Sequence, residues 1–275
     1  MTATATATTR TRSAPSRPAS WLRVFAALVR RDAQVTRGEL GTLIAQGVVM
    51  PFLLLYVFGK IIATMGFVDD SYAEVLFPGL IAMVTFAAAL QSSAMPLVID
   101  FATGREIEDR LMAPVPTALI AVEKIVFAAL RAMFCAVIMV PIGFLALGGL
   151  PYPASGIPLA VAATVVGSLV SAAFGITLGT ALPPQRISAM YAMVLVPLMF
   201  TGSAQYPWPM IDGILWFQIL SLFNPMTYFS EVMRAALVPD AVEHLNPWLS
   251  MGLLLATMVI FGALAIRGFC RRAVA

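Results

Sequence analysis

Residues 100–116 read Asp100-Phe101-Ala102-Thr103-Gly104-Arg105-Glu106-Ile107-Glu108-Asp109-Arg110-Leu111-Met112-Ala113-Pro114-Val115-Pro116. Six charges, Asp100, Arg105, Glu106, Glu108, Asp109 and Arg110, fall within eleven residues, and a long apolar run lies on either side. Ionised groups at this density are too costly for hydrocarbon. The segment is therefore expected to be a water-facing connection between two membrane spans. Pro114 and Pro116 fix where its short helix ends, because proline and the residue before it leave helical geometry.

Composition agrees with this placement. Of 275 residues, 60% are hydrophobic and 11% charged, against about 25% charged in a soluble domain. The chain reads as an integral membrane protein. Its net charge of +3 comes from 17 Lys+Arg against 14 Asp+Glu, so distribution matters more than sign, and no nucleic-acid partner is expected. Cys135 and Cys270 lie in or beside apolar runs and are expected as buried thiols rather than a disulfide framework.

Runs without Asp, Glu, Lys or Arg mark the spans. They cover residues 40–59, 75–99, 187–211 and 244–266, and a longest run of 54 residues covers 132–185. A helix needs about 20 residues to cross the bilayer core, so the longest run holds two spans, separated by a tight turn at Gly148-Gly149-Leu150-Pro151-Tyr152-Pro153. The expected architecture is all-α, with six transmembrane helices near 41–65, 73–98, 119–147, 157–182, 187–202 and 247–268.

Before the first span, residues 1–20 read as a disordered cytoplasmic tail: they lack the apolar centre of a secretory signal. Residues 21–40 place Trp21, Leu22, Phe25, Leu28 and Val29 on one helical face and Arg23, Arg30, Arg31 and Arg37 on others, the pattern of an interfacial helix. The tail and this helix hold seven Arg, the loop at 100–116 adds Arg105 and Arg110, and Arg186, Arg267, Arg271 and Arg272 follow. By the positive-inside rule these are cytoplasmic, which puts both termini in the cytoplasm.

The segment between the fifth and last spans is too apolar for a free loop. Tyr206-Pro207-Trp208-Pro209 is expected to break the fifth helix, and 213–223 forms an uncharged turn and helix. Asn224-Pro225 starts another helix, with Asn as cap and Pro in the first turn. That helix carries Glu231 and Arg234 three residues apart on one face. Two short helices dipping into the outer leaflet and returning fit this pattern, as does an amphipathic hairpin lying on the surface.

Charges near the third span have two readings. If the span starts near Leu119, Arg131 reaches toward mid-bilayer as a candidate intramembrane charge. If it starts near Phe127, Glu123, Lys124 and Arg131 are interfacial and Arg131 snorkels; we adopt the second.

Six spans of this spacing, a charged Arg-Glu loop ending Arg110-Leu111-Met112-Ala113-Pro114, and the late signature Thr201-Gly202…Pro207…Asn224-Pro225-Met226-Thr227-Tyr228…Arg234 together resemble an ABC-2 type permease. These are the membrane subunits of ATP-driven exporters such as the daunorubicin-type drug and the nodulation, lipo-oligosaccharide-type systems. The resemblance covers about residues 21–273. In the early loop Glu108-Asp109 stands where a Gly-Thr pair often follows Arg-Glu. The resemblance implies a coupling helix at 100–113, docking through Arg105, Glu106, Glu108, Asp109, Arg110, Leu111 and Met112 on a separate ABC ATPase. It further implies a second permease copy, as a homodimer in the cell (inner or plasma) membrane, and ATP and magnesium on the partner. The outer re-entrant gate would comprise Trp208, Trp216, Asn224, Pro225, Tyr228, Glu231 and Arg234.

Sequence chemistry argues separately against catalysis in this chain. Its Gly-Lys pair, Gly59-Lys60, is followed by Ile61 instead of Ser or Thr and has Leu54 where a P-loop needs its first glycine. The single histidine, His244, excludes a His-Glu-x-x-His metal motif, and no Gly-x-Ser-x-Gly elbow occurs. No enzyme activity, cofactor or metal is therefore expected in this chain. A proton-coupled secondary transporter would need carboxylates buried in mid-span, which most of these runs lack. The alternative left standing is a non-transporting membrane scaffold or assembly subunit.

Overall fold

A computed structural model describes residues 51–66, 72–103, 116–149, 152–181 and 187–274, with six single residues before them. Among the described residues the protein is all helical, and the helices are numbered here in chain order. α1 is Pro51–Ile61 and continues as Ile62–Thr64; its Val57–Ile61 portion is π-helical. α2 spans Tyr72–Thr103, α3 Thr117–Leu147, α4 Ile157–Ala181 and α5 Ile187–Thr201. The short helices α6, Leu215–Leu222, and α7, Pro225–Leu237, precede α8, Pro247–Val274.

Among the described residues four helices, α2, α3, α4 and α8, are long and apolar enough to cross a membrane. They coincide with the spans expected near 73–98, 119–147, 157–182 and 247–268. The chain is thus a multi-pass membrane protein, all helical among the described residues. Apart from those six single residues, the interfacial helix expected at 21–40, the start of the span near 41–65 and the tail at 1–20 lie outside the described residues.

α2 is the centre of the bundle, buried almost throughout its length, with α3, α4 and α7 against it. Lipid is as apolar as leucine, so close packing has to hold such helices together in place of a hydrophobic drive. α4 meets this requirement with small residues at every fourth position: Gly167, Ser171, Gly175 and Gly179. A Cβ on Gly175 would strike the Ser93 hydroxyl of α2, and one on Gly167 would lie 2.6 Å from the Phe229 ring of α7. α8 packs on the other side of α4, where Phe261 meets Phe174 edge-on at 4.8 Å. At its far end Arg272 donates to the Gly179 and Thr180 carbonyls at 2.9 and 3.0 Å, capping the last turn of α4.

The turn after α3 forms where the Gly-Gly pair predicted it. Gly148 takes a left-handed φ of 71° and returns its N–H to Phe144, a helix stop that glycine adopts without a Cβ penalty. Tyr152 then lies against the Tyr72 end of α2, its ring parallel to Phe77 at 6.1 Å. Its hydroxyl donates to the Glu74 carbonyl at 3.2 Å. Burial, and secondarily the Glu74 carboxylate, raises the Tyr152 pKa, so the hydroxyl stays a donor.

Candidate functional site

α7 is the element that organises the site. From Pro225 to Leu237 it is buried on nearly every side, enclosed by α2, α4 and α8. Its start is set locally: Asn224 is the N-cap, its side-chain oxygen accepting the Met226 N–H at 3.0 Å, and Pro225 occupies the first helical position. This is the start expected from Asn224-Pro225.

The polar side chains at the head of α7 serve other helices. A helix leaves its last four carbonyls without intrahelical donors, and in a membrane each costs several kcal/mol if nothing supplies one. α5 and α6 both end beside α7. The Asn224 side-chain amide donates to the Leu198 carbonyl at 2.7 Å and to the Thr201 hydroxyl at 3.0 Å. Thr227 donates to Ser221 of α6 at 2.6 Å and to the Thr201 carbonyl at 3.3 Å. Ser230 reaches the Gly202 carbonyl at 2.9 Å, and Tyr228 the Leu222 carbonyl at 2.5 Å. Tyr206 closes the set by donating to Phe200 at 2.5 Å. The late signature is therefore one capping unit, assembled both from residues six positions apart and from residues more than twenty positions apart.

α5 stops at Thr201, ahead of the expected break at Tyr206-Pro207-Trp208-Pro209. The chain turns at Gly202-Ser203, where Ser203 holds a φ of 51°, a left-handed conformation uncommon outside glycine. Trp208–Ile211 follows as a single 3-10 turn.

Deeper in the unit sits an ion pair. Arg234 Nη1 donates to Glu231 Oε1 at 2.9 Å, and both side chains are 0% exposed. The same carboxylate accepts the Trp208 N–H at Oε1 and the Leu245 N–H at Oε2, each at 3.0 Å. Arg234 Nη2 donates to the Ala204 carbonyl at 2.7 Å. Burying two charges costs several kcal/mol per ion, which their attraction offsets only if further hydrogen bonds satisfy them. Three backbone groups from outside α7 do so here in part, leaving Arg234 Nε buried without a hydrogen-bond partner, and they tie the 204–208 segment and the lead into α8 to the pair. Sequence spacing placed Glu231 beside Arg234 but could not find Ala204, Trp208 N–H or Leu245 N–H, because backbone donors and acceptors carry no residue-type signal.

The two tryptophans expected at this site part company. Trp208 is half-buried, its indole N–H donating to the Gln218 carbonyl at 3.1 Å. Trp216 on α6 is 70% exposed, among Leu215, Ile219, Leu220 and Phe223, which are exposed as well. α3 begins at Thr117, so Glu123, Lys124 and Arg131 all lie within its helical body; Glu123 is fully buried and Arg131 half-buried. Arg105, Glu106, Glu108, Asp109, Arg110, Leu111 and Met112 lie outside the described residues. Among the described residues no group of three or more His, Cys, Asp or Glu side chains could hold a metal ion.

The family comparison bears on these same residues. The sequence profile of ABC-2 type transporters matches residues 23–238, a stretch that includes the whole of α7. The chain is similar to "Putative transport permease ycf38" of Cyanophora paradoxa, 26% identical over 224 residues that cover 77% of this chain and 72% of that protein. It is similar to the protein of the same name from Porphyra purpurea, at 29% identity over 224 residues, 77% of this chain and 70% of the relative. Such membership implies an ABC ATPase as partner. With its spans, its buried capping unit and a match over most of its length, the chain belongs to the ABC-2 type transporter family, as a membrane subunit of transport.

Proposed function

We propose that this chain is the permease of an ABC exporter, moving an amphipathic, drug-like or lipid- or glycan-linked substrate out of the cytoplasm with ATP hydrolysed by a separate subunit. The observation that carries this reading is the depth of α7. Its Phe229 lies against Gly167 of α4, while its Ala236 lies against Gly156 at the start of α4. Along α4 these points are separated by about 15 Å, roughly half the hydrocarbon thickness. A helix of 13 residues held at that depth fits one limb of a re-entrant pair, and the capping side chains supply what such a break in a membrane requires.

On this reading the chain has six spans, an interfacial helix at 21–40 and both termini in the cytoplasm. The domain is residues 21–275, after a tail at 1–20, and it resides in the cell (inner or plasma) membrane. Residues 100–113 form the coupling helix, with Arg105, Glu106, Glu108, Asp109 and Arg110 orienting it in a cleft of the ATPase and Leu111 and Met112 anchoring it. ATP and magnesium bind that partner, not this chain. Two permease copies line the path. The exposed Phe52, Tyr56 and Phe58 of α1 and Met193 and Phe200 of α5 support a face that meets cargo or the second copy. Arg131 stands near the middle of α3, Thr117–Leu147, which supports the candidate intramembrane charge over the snorkelling reading adopted from the sequence.

Co-purification of the chain with its ATPase from membranes, followed by ATP hydrolysis with and without candidate amphipathic substrates, tests the proposal. Stimulated hydrolysis in a complex of two permeases and two ATPases is expected. A stable complex whose hydrolysis and substrate distribution never respond to the permease would leave the scaffold reading instead.

A further inference from the structure

Glu231 and Arg234 gather atoms from several separate stretches, and the tightest approach is made by α2. Gly79 lies directly beneath the Arg234 guanidinium and the Ala204 carbonyl: a Cβ there would collide with the Ala204 oxygen and lie 2.6 Å from Arg234 Nη2. A second tie lies two turns away, where the Tyr72 hydroxyl donates to the Gln205 carbonyl at 2.7 Å. The 202–208 segment is thus seated on the Tyr72 end of α2 at two points. Its covalent link to α5, by contrast, passes through the left-handed bend at Ser203.

We propose that Gly79 is a positioning residue for transport: by seating the Arg234 guanidinium and the Ala204 carbonyl on α2, it makes the 202–208 segment and α7 move with α2 as one body. α2 is continuous over 32 residues from Tyr72 to Thr103, or about 48 Å. Its Thr103 end leads directly into the residues assigned above to the ATPase contact, and the inference rests on that assignment. A displacement imposed at Thr103 then arrives at Gly79, where the buried Glu231–Arg234 pair passes it to Trp208 and Leu245. The Thr201 end of α5, hydrogen-bonded to Asn224, Thr227 and Tyr206, is drawn along with the segment.

The test uses the full chain with its ATPase in membrane vesicles. Cysteines replace Tyr72 and Gln205 in a background carrying Cys135→Ala and Cys270→Ala, and a short, reducible bifunctional thiol reagent joins them. If the two residues travel together, the cross-linked protein transports as fast as the unlinked one. Transport that stops on cross-linking and returns on reduction overturns the joint while leaving the permease reading intact. Gly79→Ala supplies the second arm: ATPase association is expected to persist while transport is lost, and wild-type transport in that variant also overturns the proposal. Should Gly79→Ala fail to reach the membrane, the cross-link decides. If neither the wild type nor the unlinked double-cysteine chain binds ATPase or transports, the permease reading itself fails, and the joint with it.

Discussion

The Tyr152 hydroxyl donates to the carbonyl of Glu74, 3.2 Å away, and it does so at the carbonyl that Pro78 leaves bare. Proline has no N–H to return to the residue four before it, so Pro78 within α2 frees that oxygen, and the turn before α4 supplies the missing donor. Tyr152→Phe keeps the ring against Phe77 and removes only the hydroxyl. It is expected to cost about 1 kcal/mol, read as a drop of a few degrees in thermal unfolding in nanodiscs. No change in stability would show that water or lipid headgroups serve the carbonyl equally well.

Arg234→Met leaves the Glu231 carboxylate buried without its counter-charge. Breaking a buried pair from one side costs about 3–5 kcal/mol, enough to deplete the protein in membranes. Glu231→Gln with Arg234→Met removes both charges and keeps most of the volume, and it is expected to be more stable than Arg234→Met alone. A double mutant no better than the single would mean that the pair is not energetically coupled.

Asn224 has two jobs that substitutions can separate. Asn224→Asp keeps the oxygen that caps α7 but loses the amide that serves Leu198 and Thr201. Asn224→Ala loses both, and the cap alone is worth about 1 kcal/mol. Thermal stability should fall in the order wild type, Asp, Ala. An aspartate variant as stable as the wild type would show that the α5 carbonyl needs no partner.

Trp216 and Glu243 are both exposed in the protein, and the proposed re-entrant pair would put the first in lipid and the second in water. Single cysteines at these positions, treated with a membrane-impermeant maleimide from outside, should react slowly at 216 and rapidly at 243. Equal rapid labelling would place α6 on the outer surface.

Much of this fold was legible because membrane spans are defined by what they lack. The charge-free runs at 75–99 and 244–266 located α2 and α8, Gly148-Gly149 located the turn, and Asn224-Pro225 located the first residue of α7. These signals are local, and each rests on one or two residues with strong backbone preferences. What stayed hidden was pairing at long range. Nothing near Thr227 announces that its hydroxyl serves Ser221 and Thr201, and nothing near Gly79 announces that Arg234 rests on it. The end of α5 at Thr201 agrees with the span expected near 187–202, but the expected breakers, Pro207 and Pro209, are not what stops it: Gly202-Ser203 turns the chain first, and Asn224 and Ser230 take up the Leu198 and Gly202 carbonyls.

Charge reversal in the loop after α2 tests most directly whether an ATPase drives this protein. A chain carrying Glu106→Arg and Arg110→Glu is expressed with the ATPase, and membrane insertion, ATPase co-purification and ATP-dependent transport into inside-out vesicles are measured side by side. Insertion is expected to be unchanged, association weakened and transport abolished. Association and transport at wild-type levels would contradict the account, leaving those charges only the task of keeping a loop in water.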